Sequence, residues 1–120
     1  MVKDKNADKR LAYNRQILDI ESKQDEIYSQ KRDMKRALDS FGNEITRSAL
    51  KLRELDDEMI RQGSIAAQWA QQEHQGRNAY IHSFIDHQDE AITTVYSKMI
   101  QETEDKRESL QKERNDLSWD

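Results

Sequence analysis

Counted from Tyr13 in alternating steps of four and three, the chain returns to Ile17, Ile20, Gln24, Ile27, Lys31, Met34, Leu38, Phe41, Ile45, Ser48, Leu52, Leu55, Met59, Gln62, Ala66 and Trp69. Thirteen of these seventeen positions are apolar. A period of 3.5 held for about eight heptads is the mark of a long helix that lays one seam against another helix. Gln24, Lys31, Ser48 and Gln62 interrupt the seam. Polar residues there cost stability but can fix register and partner, and Lys31 can lay its stem along the seam with its amine in water.

A second seam follows Gly76, through Ile81, Ile85, Gln88, Ile92, Val95 and Met99, with Tyr80, Phe84, Tyr96 and Ile100 widening the stripe. Leu110 lies off the heptad count from Met99, so the seam slips before the charged tail "DKRESLQKERNDLSWD". The tail reads as helix supported by pairs such as Glu102–Lys106 and Glu108–Lys112.

Two seams on one chain predict an elongated antiparallel helical hairpin, coiled-coil-like and all-α, as a single domain over 1–120. The reversal falls within residues 61–78, in "RQGSIAAQWAQQEHQGRN". Gly63 is almost central and is followed by Ser64, a ready helix cap, giving arms 8–62 and 65–117. Gly76 with Asn78 gives a similar stop and start, with arms 8–74 and 78–117, and the first seam stays in phase as far as Trp69. Gly42 is a third candidate, which the seam crosses without a change of phase. An arm of about 55 residues is roughly 80 Å long. Two such arms bury one stripe each, so the wide face of the second arm predicts a third helix from another chain.

Composition supports long helices. There is no proline, and charged residues make up 37% against 34% apolar. That is too little apolar surface for a thick globular core. Such a composition also fits disorder, but a disordered chain has no need of ordered seams. Residues 1–60 carry 13 basic and 13 acidic side chains, and residues 61–120 carry 7 and 11. Neither half is basic, which disfavours a nucleic-acid backbone as partner. The longest apolar run, Ile65-Ala66-Ala67, is too short for a bilayer span or a signal-peptide core. The expectation is a cytoplasmic protein without membrane insertion, with export lacking a cleaved signal left open.

Candidate chemistry is sparse. With no cysteine there are no disulfides, thiolate metal sites or cysteine nucleophiles. His82, Asp86 and Glu90 share a helix face at spacings of four, which could ligate a metal, but the same spacing arises readily in a polar helix. No nucleophile elbow, P-loop or dinucleotide pattern is present, and a thin hairpin supplies no concave pocket for catalysis. No catalytic residue, metal or cofactor is therefore assigned. The candidate partner-binding residues are Trp69, Tyr80, Phe84, Ile92, Tyr96, Ile100 and Trp119, because large flat side chains anchor interfaces. Trp69 reads first as a filler of the hairpin tip and second as an anchor, and Trp119 can equally be a loose end.

The size, the cysteine-free helical character, the mid-chain "AAQW" and the charged close "LQKERNDL" with an aromatic after it carry a resemblance. The chain resembles the small α-helical partner proteins of LXG toxins in Gram-positive type VII secretion. Trp69 is followed by Ala70 and Gln71, not by the Trp-x-Gly turn of the related secreted hairpins, and neither Phe41 nor Phe84 opens a Phe-x-x-x-Asp export motif. The resemblance implies a chaperone or targeting partner that binds the helical region of a secreted toxin. A looser similarity to coiled-coil stalk proteins of export ATPases offers an adaptor reading. A structural homo-oligomer, such as a homodimer, is the third.

Overall fold

The computed structural model describes residues 5–118. Helix α1 spans Ala7–Arg61 and helix α2 spans Ile65–Asn115; no strand occurs among the described residues. The two helices form an antiparallel hairpin. Their ends match the arms expected from a turn at Gly63, so Gly76 and Gly42 lie inside helices.

Local chemistry decides where the chain reverses. Gly63 has φ of 90°, and its N–H donates to the Ile60 carbonyl at 2.9 Å while Ser64 N–H donates to Met59 at 3.1 Å. This is the Schellman pair, which satisfies two end carbonyls of α1 and needs a residue in the left-handed region. Ser64 then caps α2, its Oγ accepting the Ala67 N–H at 3.1 Å. Two residues thus close one helix and open the next. The first seam remains in phase beyond this point, but periodicity alone cannot stop a helix, whereas a left-handed glycine with a capping serine can.

Gly42 is tolerated within α1 for a different reason. A Cβ built there would lie 3.8 Å from Ile85 Cδ1, so Gly42 faces α2. Thr46 Oγ1 donates back to the Gly42 carbonyl at 2.9 Å.

Among the described residues the chain packs as two compact units, 5–32 with 93–118 (unit 1) and 33–92 (unit 2). In unit 1, Ile17, Ile20 and Leu110 form the core with Tyr13 packed against it, and Ile27 is buried as well. Each step of seven along α1 is answered by seven back along α2. Asn14 Oδ1 accepts from Arg114 at 2.9 Å, Glu21 meets Arg107 at 3.8 Å, and three residues on Gln24 donates to Glu104 at 3.1 Å. The hydrogen bond from Arg107, then that from Gln24, holds the Glu104 carboxyl below the usual carboxylate range. Met99 is half-buried and Leu110 buried, so both turn inward. Eleven residues make three turns at 3.67 per turn, and the slip noted between them keeps the apolar side facing α1.

Candidate interaction surface

Unit 1 keeps the register counted from Tyr13, but unit 2 does not. Its least exposed positions on α1 are Lys35, Leu38, Gly42, Ile45, Ala49, Asp56 and Ile60. Leu38 and Ile45 belong to the expected seam. At the other positions the inward residue lies one place later, so Met34, Phe41, Ser48, Leu55 and Met59 stand outside instead of inside. On α2 the inward positions include Ala67, Gln71, His74, Asn78, Ile81, Ile85, Asp89 and Ile92, and Gln88, expected in the seam, is exposed.

Several of these inward residues are polar. Asp56 is only 4% exposed and pairs with His74 Nδ1 at 2.8 Å. Next to it, Gln71 donates to Asp57 at 2.7 Å, and towards the other end of the unit Lys35 meets Asp89 at 3.4 Å. Asn78 Oδ1 is buried with no hydrogen-bond partner among the described residues. Helix pairing at the tip thus rests on small residues and polar pairs.

The large apolar side chains form a surface instead. A residue one place before an inward one sits about 100° back around its helix. Because the helices are antiparallel, these preceding positions on α1 and α2 fall on the same flank of the hairpin. Phe41 and Phe84 illustrate this, since each directly precedes a member of the facing pair Gly42 and Ile85. Of the fifteen positions that precede the inward residues named, only Glu44, Glu73 and Arg77 are charged, and the last two pair with each other at 3.9 Å. The opposite flank carries Arg36, Asp39, Asp57, Arg61, Asp86 and Glu90. There an open cleft of about 190 Å³ is lined by Thr46, Leu50, Arg53, His74 and others.

The candidate partner-binding residues do not form one group. Trp69, Tyr80 and Phe84 lie in unit 2 and are 69%, 75% and 49% exposed. Trp69 is therefore not clamped at the hairpin tip. It follows buried Ala67 by two residues, about 200° around the helix, and faces largely away from α1. Ile92 is half-buried in unit 2, and Tyr96 and Ile100 are half-buried in unit 1. These three contribute to the hairpin's own packing more than to an open face. Trp119 lies outside the described residues. The sequence reading missed Phe41, Leu55 and Met59 as surface residues because it spent them on the seam. Gly42 and Ala49, small and one place later, were the available signal.

Among the described residues no group of three or more His, Asp or Glu side chains is placed to hold a metal ion, His82, Asp86 and Glu90 included. No helix there is long and apolar enough to cross a membrane. No protein-family model, curated protein or solved structure matches the chain.

Proposed function

We propose that this chain is a non-catalytic binding protein that works by helix–helix association, with the apolar flank of unit 2 as its docking face. The observation that carries this reading is the outward placement of Phe41, Leu55, Met59, Tyr80 and Phe84 on a chain otherwise dense in charge. Large apolar side chains gathered on one flank in this way mark interaction sites in folded proteins. Amphipathic helices are its natural ligands, because a groove between two helices receives a row of side chains at i, i+3, i+4 and i+7.

The resemblance to partner proteins of LXG toxins supplies the kind of helix: the helical region of a secreted toxin, held for export or targeting. The test is a titration of such a segment against the full chain and against Phe41→Ala with Phe84→Ala. Truncating two anchors should cost about 2–4 kcal/mol of binding, while circular dichroism stays unchanged. Undiminished binding by the double variant would place the partner on another face. A toxin segment that binds neither form would end the toxin reading.

A further inference from the structure

We infer that in the free protein the apolar flank of unit 2 is covered by a second copy of the same chain, giving a four-helix contact between two hairpins. The inference rests on the same flank being a docking face, and it names the occupant when no partner helix is present.

The first argument is width. Phe41, Leu55 and Met59 come from α1 and Tyr80 and Phe84 from α2, so the surface is two helices across, about 20 Å at 10–12 Å per helix. A single helix covers the groove and leaves one margin open. A second hairpin brings a face of equal width.

The second argument is area. These five side chains are 43–75% exposed. At 150–250 Å² for an aromatic side chain, Phe41, Tyr80 and Phe84 alone offer roughly 250–420 Å². Leu55 and Met59, with Ala37, Ala66 and Ala91 on the same flank, add to that. A stable interface takes about 800 Å² from each partner, so one flank supplies a large part of a half.

The third argument is charge. An isologous interface sets a patch against itself, so any net charge on it meets its own sign. This flank has one charge, Glu44, beyond the mutually paired Glu73 and Arg77. The opposite flank carries six among its corresponding positions and is ill-suited to self-association.

The experiment uses the full chain. Sedimentation equilibrium should give a dimer, and Phe41→Ser with Phe84→Ser should weaken it about 30-fold or more, the size of a hot-spot loss, with helicity retained. Arg36→Ser with Asp86→Ser should leave it intact. Because the native chain has no cysteine, Ser48→Cys and Arg36→Cys give a second reading. A short bis-maleimide should join copies through Ser48→Cys and not through Arg36→Cys. A wild-type chain that remains monomeric overturns the inference, as does a dimer cross-linked only through Arg36→Cys. A monomer that still captures the toxin segment leaves the proposed function standing without the dimer. A dimer that captures no segment does the reverse.

Discussion

Among the described residues, four of the five buried apolar side chains, Ile17, Ile20, Ile27 and Leu110, belong to unit 1, whereas ten of the fourteen large apolar side chains left exposed belong to unit 2. The same two helices build both units, so helix formation does not explain the contrast. Side-chain placement does. Unit 1 turns Ile17, Ile20, Ile27 and Leu110 inward, leaving Leu11, Leu18 and Val95 outside, and lines its edges with Arg107, Glu104, Glu21 and Gln24. Unit 2 turns Gly42, Ala49, Asp56 and His74 inward and its phenylalanines and methionines out. Burying a large aliphatic side chain is worth about 1.5–3 kcal/mol, so unit 1 holds itself together by ordinary means. Unit 2 leaves much of that stabilisation unrealised until something covers it. One unit buries most of its seam, and the other leaves the apolar surface on which the proposed association depends.

The strongest way to break this comparison is to place the same charge in both units. Ile17→Asp puts a carboxylate in the core of unit 1 and should cost about 3 kcal/mol or more. Leu55→Asp, on the exposed flank, should stay within about 0.5 kcal/mol in the monomeric state. Chemical denaturation followed by circular dichroism measures both, on the background of Phe41→Ser with Phe84→Ser so that association does not intrude. Equal losses would mean that Leu55 is core.

A smaller effect comes from the buried pair. His74→Ala leaves the Asp56 carboxylate enclosed without its partner and should destabilise by about 1–3 kcal/mol. Replacing both residues with leucine should be neutral or stabilising, as when both partners of a buried hydrogen bond become apolar. Amide exchange confined to residues 33–92 would show that the pair serves unit 2 alone.

The glycines sharpen the picture further. Gly63→Ala forces a side chain into the left-handed region and should cost about 1–2 kcal/mol. Gly76→Ala, in open space on α2, should gain up to about 1 kcal/mol. Melting curves that ranked the two the other way would move the turn.

The smallest effect concerns acid. The folded Glu104 carboxyl is held low, so its stabilising share is present above the ordinary carboxylate pKa and fades as pH falls through the folded value. Glu104 lies at the edge of the helix pair and keeps contact with water, so the loss should be slight. Glu104→Gln should remove that part of the acid dependence, with exchange in unit 1 as the readout. An unchanged acid profile would show that other carboxylates set it.

The fold was legible because its causes are local or periodic. Absence of proline, abundance of helix formers and two long seams point to two long helices that reverse within residues 61–78, and the left-handed Gly63 with its Ser64 cap fixes the turn there rather than at Gly76. The exposure of Tyr80 and Phe84 was also legible, since they lie beside the narrow seam of α2, whereas Trp69, read first as a filler of the tip, stands outside instead. The rest of the flank was not. A heptad count assumes 3.5 residues per turn, while a straight helix makes 3.6 and drifts by about 20° per heptad. From Tyr13 that drift is small at Ile17 and Ile20, where the count holds, and reaches about one residue near Asp56. The sequence carried the two helices and their antiparallel pairing, while the reversal stayed open between Gly63 and Gly76 until the left-handed backbone at Gly63 placed it. Only the tertiary structure decided which residues face inward in unit 2. Register over so many turns accumulates from the twist of the helices, and packing against α2 sets that twist, not any single residue of α1.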